Sequence, residues 1–154
     1  MKKLQLLPAY NMKCEFCQII ERQSQASIVY EDQKVIAIVP LSPFTKGHTL
    51  IIPKLHVQSF LEVNEEMLSH MMHVAREIGI GITRSDFSGD GLNLWLSDGK
   101  EAGQTVMHVH LHIFPRYKGD EFFVKFHSQE NTNQSSLNKM AKEISENLPN
   151  SSVN

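Results

Sequence analysis

Three histidines at alternating positions are the residues of this chain best suited to chemistry: His108, His110 and His112. Aliphatic residues separate them, and this alternation predicts a β-strand with imidazoles on one face and core residues on the other. Residues two apart on a strand are roughly 6.6–6.8 Å apart, so we expect the three rings to face one pocket. Pro115 is expected to end this strand or to mark a sheet edge.

Two kinds of site could use three neighbouring imidazoles. A single histidine is most often a half-buried side chain with satisfied hydrogen bonds. Three on one strand face make a poor core, because imidazole is polar and titrates near neutral pH. All three could bind a redox metal, as in cupin-like proteins. Alternatively, the set is divided between a metal and catalysis.

The two cysteines, Cys14 and Cys17, have the spacing of half a tetrahedral zinc site. The remaining ligands would have to be His, Asp or Glu, because the chain has no third cysteine. His56 follows a predicted strand, and His108 is the first of the alternating histidines, so a Cys₂His₂ site would attach the N-terminal segment to the sheet. The alternative is a pair of reduced thiols near the surface.

If His108 binds zinc, His110 and His112 are available for catalysis. A neutral imidazole can attack phosphorus and hold a covalent intermediate, provided that a partner on its other ring nitrogen selects the tautomer. Gln104 and Thr105 stand at the start of the same segment. They offer an amide and a hydroxyl that could hydrogen-bond phosphoryl oxygens.

The remaining elements form the frame for these residues. Asn64 is the expected N-cap of the main amphipathic helix, over about residues 64–84. A short helical turn is expected at 18–22, and a C-terminal helix follows the polar segment 129–136. Before the histidine segment, the patterns predict strands over residues 27–32, 34–39, 48–53 and 92–96. We expect a flexible leader over 1–11, one domain over 12–127, and a polar linker with the C-terminal helix over 128–154.

Composition narrows the possible partners. Hydrophobic residues make up 41% and charged residues 21% of the chain, as in an ordinary soluble protein. The net charge of −2 provides no basic field for nucleic acid and no polybasic patch for a membrane. Apolar runs fall short of the roughly 20 residues that span a bilayer, and the N-terminus makes a poor signal peptide. We therefore expect a cytoplasmic protein without nucleic-acid or membrane partners.

Residues 102–116 resemble the signature of the histidine triad (HIT) family, in which three histidines alternate with apolar residues. Residues 43–56 resemble a second block of that family, and the Cys-x-x-Cys at 14–17 is similar to that of its bacterial Hint-like branch. The resemblance covers about residues 12–127. It implies an α+β fold with a five-stranded antiparallel sheet, one main helix and a short C-terminal helix, and a two-fold homodimer.

The resemblance also implies a role for each matching residue. His110 matches a nucleophile that attacks the α-phosphate of a purine nucleotide and becomes nucleotidylated. His112 matches a phosphate contact, and His48 matches a residue that orients the nucleophile. Family members hydrolyse phosphoramidates or related nucleotidyl compounds. The nucleotide-binding positions are Asn93, Ser97, Gln104, Thr105 and His112, and the structural zinc ligands are Cys14, Cys17, His56 and His108.

Two positions depart from the family pattern. Pro40 stands where relatives carry an acidic residue that binds the ribose hydroxyls, and proline offers no acceptor side chain. Ser97 stands where many relatives carry a phosphate-contacting asparagine. The resemblance therefore supports ribose binding less well than it supports the phosphate chemistry. This leaves a second hypothesis, a nucleotide-binding or protein-interaction module with little catalytic activity.

Overall fold

The structure is a computed structural model that describes residues 14–121 and 133–149. The α+β class is confirmed, and the five strands form one antiparallel sheet. The elements in chain order are α1 (Glu15–Ile20), β1 (Ser27–Glu31), β2 (Val35–Val39), β3 (Thr49–Pro53), α2 (Glu65–Thr83), β4 (Gly91–Leu96), β5 (Leu111–Arg116) and α3 (Gln134–Glu146).

The order of strands across the sheet is β1-β2-β3-β5-β4. Strand β5 therefore lies between β3 and β4, and His112 faces Leu50 on one neighbour and Trp95 on the other. Strand β3 begins one residue after His48. The antiparallel pairing of β3 with β5 thus brings the 48 and 112 positions together from distant parts of the chain.

The expectation that all three histidines share one strand is wrong. Strand β5 begins only at Leu111, so His108 and His110 precede it. The ladder with β3 spans residues 111–113 alone, and the N–H of Val109 donates instead to the carbonyl oxygen of Val57 at 2.7 Å. Pro115 does not end the strand either, since β5 continues to Arg116.

The sheet has a hydrophobic cluster on each side, which explains why β2 is a continuous apolar run. Val35 and Ala37 belong to the cluster that includes residues of α2, whereas Ile36 and Ile38 belong to the cluster that includes residues of α1. The α1 cluster also contains Cys14, Phe16, Cys17, Leu50 and Ile52. Helix α1 thus covers the sheet beside the histidines.

Helix α2 begins and ends close to its expected bounds. The side chain of Asn64 accepts a hydrogen bond from the N–H of Met67 at 2.8 Å, and two glutamates occupy the first turn. Both features stabilise the exposed N–H groups of a helix start. The spacing of apolar residues on this helix therefore predicted both its extent and the face that it buries.

The chain divides into two compact units, Met1–Asp120 and Glu121–Asn154. The expected C-terminal helix is confirmed as α3, whose N-cap Asn133 accepts from the N–H of Ser136 at 3.0 Å. The leader over 1–11 and the boundaries at 12 and 127 lie outside the described residues. Within the described ranges, no helix is both long and apolar enough to cross a membrane.

A glycine before β4 is required by a close backbone approach. A Cβ atom at Gly89 would overlap the carbonyl oxygen of Arg116, which also accepts the N–H of Asp90 at 2.7 Å. We expect Gly89→Ala to lower the free energy of unfolding by about 1–3 kcal/mol, because backbone must move to admit the methyl group. Urea unfolding measures this. Gly91→Ala is the matched control, since its Cβ would meet no atom within 4 Å; equal effects of the two changes would contradict the prediction.

Candidate active site and adjoining metal centre

Four potential metal ligands converge beneath α1. The group consists of Cys14, Cys17, His56 and His108, whose ligand atoms all lie within 4.8 Å of one another. The sulfur of Cys14 is 3.4 Å from Nδ1 of His108, and the sulfur of Cys17 is 3.3 Å from Nδ1 of His56. The two Nδ1 atoms are 3.2 Å apart. These are the four residues expected from the sequence.

The donor set and its dimensions fit zinc. Tetrahedral zinc with Zn–N bonds of about 2.0–2.1 Å and Zn–S bonds of about 2.3 Å places ligand atoms roughly 3.3–3.8 Å apart. The distances above fall close to this range. The Nε2–H of His108 donates to the carbonyl oxygen of Pro53 at 2.8 Å, which leaves the Nδ1 lone pair directed at the group. The group is thus suited to a closed structural zinc site.

This geometry overturns the redox-metal interpretation of the three histidines. Among the described residues, the metal-binding group includes His108 but neither His110 nor His112. His110 directs its Nδ1 to a backbone carbonyl instead. The alternating histidines are therefore divided between two sites, because His108 and His110 precede β5 and their rings have different partners.

His110 is a buried, neutral base whose Nε2 has no hydrogen-bond partner among the described residues. Its Nδ1 lies 2.8 Å from the carbonyl oxygen of His108, and a carbonyl can only accept, so we assign the proton to Nδ1. Burial lowers the pKa of His110, although the bond to the carbonyl opposes this effect. Nε2 is therefore left with a lone pair, which is the form that a nucleophilic imidazole requires.

His48 and His112 form a hydrogen-bonded relay with assignable tautomers. The backbone N–H of Phe44 donates to Nδ1 of His48 at 3.0 Å, so Nε2 of His48 carries the proton. Nε2 of His48 is 3.0 Å from Nδ1 of His112, which must accept. Nε2 of His112 then carries a proton that it can donate to a ligand. The ring centroids of His110 and His112 are 4.9 Å apart, so the two rings are neighbours.

Two phenylalanines that sequence reasoning missed contact these histidines. The ring of Phe44 stacks on His48 and His112, with centroid distances of 4.4 and 5.4 Å. The edge of Phe16 meets His110 at 5.1 Å. Only their positions in the sequence could have indicated these residues, since Phe16 lies between the two cysteines and Phe44 lies four residues before His48.

The loop before the histidines is held by the side chain of Gln104. Its amide oxygen accepts the N–H of Gly99 at 2.7 Å, and its amide nitrogen donates to the carbonyl oxygen of Gln58 at 2.8 Å. Gln104 is buried, whereas Thr105 is exposed. Gln104 thus braces the loop against the segment that carries His56.

Other expected contact residues are also engaged within the protein. The hydroxyl of Ser97 accepts from Nε1–H of Trp95 at 2.8 Å. The amide oxygen of Asn93 accepts from Arg116 at 2.8 Å. Pro40 follows the last residue of β2 and is partly buried. The structure therefore brings together His48, His110 and His112, whereas the side chains of Asn93 and Ser97 form hydrogen bonds within the protein.

Acid is expected to destabilise the fold through the relay. Burial lowers the pKa of His48 to about 4 from its ordinary 6.5, and the positive charge that nearby His110 carries once acid has protonated it adds to this effect; burial is also the main cause for His112 at about 4. The unfolded chain binds protons at these sites before the folded chain does. The stabilisation is complete above pH 6.5 and is lost between 6.5 and 4, by up to about 1.4 kcal/mol per pH unit for each histidine.

Urea unfolding across this pH range measures the effect. His48→Gln should reduce the slope of unfolding free energy against pH, because it removes one titrating group. Ile38→Val is the control, because it removes buried volume but no titrating group, and it should leave the slope unchanged. A wild-type slope equal to that of His48→Gln would contradict the assignment of neutral rings.

Comparisons with known proteins agree with the fold and with the metal centre. The family model described as "HIT domain" matches residues 21–119. "Protein hit" of Bacillus subtilis is 44% identical over 110 residues, covering 71% of this chain and 75% of its own. The zinc-bound histidine triad family protein of Mycobacterium smegmatis is 33% identical, with a TM-score of 0.69 over 86% of this chain and 98% of its own.

A plant relative is named for an activity. "Adenylylsulfatase HINT3" of Arabidopsis thaliana is 36% identical over 107 residues, which are 70% of this chain and 54% of that protein. The match to the domain model spans residues 21–119, which is more than half of the present sequence. This chain therefore belongs to the HIT domain family.

Proposed function

We propose that this protein is a nucleotide-binding hydrolase or transferase that acts on phosphoramidate or nucleotidyl phosphate compounds through a covalent nucleotidyl-histidine at His110. The observation that carries the proposal is the assigned state of His110, a buried neutral ring whose Nδ1–H is held by a carbonyl and whose Nε2 lone pair is free. Such a ring is prepared to attack phosphorus without first losing a proton.

The reaction divides into two displacements. The Nε2 lone pair of His110 forms an N–P bond, and the bond from phosphorus to the leaving group breaks with its electron pair on the leaving group, which takes a proton from solvent. Water then attacks phosphorus and loses a proton to solvent, the N–P bond breaks with its electron pair returning to Nε2 of His110, and a nucleoside monophosphate is released. The Nε2–H of His112 is placed to donate to a phosphoryl oxygen as its charge develops.

Purine nucleotides are the proposed ligands, in line with the family resemblance and with the plant relative named as an adenylylsulfatase.

We also propose that the protein is a homodimer. Leu92 and Leu94 of the edge strand β4 are about half exposed, at 40% and 47%, and offer an apolar surface for a second copy. Sedimentation of the wild type and of Leu94→Asp tests this association.

A substrate screen tests the enzymatic proposal. We expect turnover of adenosine and guanosine phosphoramidates, with a transient mass increase of one nucleotidyl group on the quenched protein. The adduct should map to His110. It should also be labile in acid, because the N–P bond of a phosphohistidine-type adduct hydrolyses in acid. Turnover without any adduct on His110 would contradict the mechanism.

A binding module is the second candidate, and Pro40 favours it. Its side chain has no oxygen or nitrogen to accept a hydrogen bond from a ribose hydroxyl. In this case calorimetry would detect binding of a nucleoside monophosphate while all phosphoramidates remain unhydrolysed. Robust turnover would exclude it.

A further inference from the structure

We propose that the metal centre positions the nucleophile: Phe16 and the carbonyl of His108, both belonging to the metal-binding segments, hold the ring of His110 in its reactive orientation. This inference rests on the proposed function only in naming His110 as the nucleophile. It assigns Phe16 as a positioning residue and gives the Cys-x-x-Cys segment a role in the reaction beyond stabilising the fold.

The first observation is that the nucleophile lies outside the sheet ladder. Strand β5 begins at Leu111, so inter-strand bonds of that strand do not hold the backbone of His110. A residue within a ladder is positioned by its neighbouring strands, whereas one before it depends on other contacts. The ladder therefore constrains His110 only from its C-terminal side, through Leu111, and the residues before it and the contacts of its ring must supply the rest.

The second observation is that a metal ligand anchors those residues. His108 is fully buried, and its ring is held on one side by the carbonyl of Pro53 and on the other by the metal-binding group. The same residue presents the carbonyl oxygen that accepts Nδ1–H of His110 at 2.8 Å. One residue thus connects the metal ligands with the proton that selects the tautomer of the nucleophile.

A second contact reaches the same ring from α1. Phe16 lies between the two cysteine ligands and is only 6% exposed. Its ring meets His108 at 5.9 Å and His110 at 5.1 Å, with interplanar angles of 75° and 69°. Edge-to-face contacts of this kind limit the rotation of the rings that they join. Helix α1 has only six residues, so its own hydrogen bonds secure it weakly.

The neighbouring loop connects to the same centre. The N–H of Val109 donates to the carbonyl of Val57, the residue after the ligand His56, at 2.7 Å. With the metal bound, the segments around residues 14–17, 56–57 and 108–110 are tied to one point. Without it, four ligand side chains lose their common partner, and the carbonyl of His108 and the ring of Phe16, which both contact His110, are less constrained.

The test combines metal removal with one loaded variant. We expect the chelated protein to lose at least about tenfold in kcat, since misplacement of a reacting group by about 1 Å costs roughly a hundredfold. The dissociation constant for adenosine monophosphate should change by less than about threefold, because the loss is in orientation rather than in uniform binding. Returning zinc should restore kcat.

Nitrogen-15 NMR of the imidazoles provides a readout that does not depend on activity. In the loaded protein we expect a slowly exchanging Nδ1–H signal from His110, and chelation should broaden or abolish it. The Nε2–H signal of His48 is the internal control, since its acceptor is Nδ1 of His112, a residue within the β3–β5 ladder. Persistence of both signals and of kcat after chelation would overturn the proposal.

Phe16→Leu keeps the test decisive even if the metal-free protein unfolds. This variant should retain one zinc per chain and its fold, yet lose kcat at least about tenfold and show faster exchange of the His110 Nδ1–H. The control is Ile78→Val on α2, a similar loss of buried volume in the cluster on the opposite side of the sheet. Unchanged kcat and exchange in loaded Phe16→Leu would reject the positioning role.

Failure of His110 as nucleophile would give a different result. Turnover would then occur without an adduct on His110, while the Nδ1–H signal would still respond to chelation as expected.

Discussion

Replacing His110 by asparagine is expected to reduce turnover of an adenosine phosphoramidate by at least about a thousandfold, because the chain then lacks the group that bonds to phosphorus. The amide of asparagine can still donate to the carbonyl oxygen of His108, so a buried acceptor keeps a partner. Steady-state kinetics and circular dichroism together measure the effect. The fold and the zinc content should match the wild type.

His110→Ala should be equally inactive but less stable. It leaves the carbonyl of His108 without its donor, at a cost of about 1–3 kcal/mol. His73→Ala on the exposed face of α2 is the control and should retain full turnover. If His110→Asn kept more than a tenth of the wild-type rate, the covalent mechanism would have to be abandoned.

Replacing Cys17 by serine is expected to release the metal and to lower the melting temperature by about 8–16 °C. Binding to the folded state alone contributes about 4 kcal/mol when free zinc exceeds its dissociation constant a thousandfold. For a domain of about this size, 1 kcal/mol shifts the melting temperature by about 2–4 °C. The thiol is 2% exposed, so serine also leaves a hydroxyl in a buried position.

Chelation distinguishes the contribution of the metal to the melting temperature from the contribution of side-chain packing. A chelator should lower the melting temperature of the wild type towards that of Cys17→Ser while leaving Cys17→Ser itself unchanged. Ile38→Val, in the same hydrophobic cluster, should keep its zinc and remain sensitive to chelation. Equal sensitivity of the wild type and Cys17→Ser, or a wild type that chelation does not affect, would contradict a stabilising zinc site.

Local patterns predicted much of the fold. The apolar spacing and Asn64 predicted α2, and the alternating and continuous apolar runs predicted the first four strands close to their observed bounds. The strand of the histidines was the error. Alternation from His108 to His112 is compatible with an extended segment, but only pairing with β3 and β4 makes a strand, and that pairing begins at Leu111.

The amino-acid sequence by itself determined which side chains are available: two cysteines for a metal, three alternating histidines, and His48 and His56 after predicted breaks. Only the tertiary structure decided their partners. Cys14 meets His108 across 94 positions of sequence and His48 meets His112 across 64, and such contacts arise from strand order rather than from local periodicity. Tautomers follow these contacts, because a ring nitrogen carries a proton where its partner can only accept and lacks one where its partner donates.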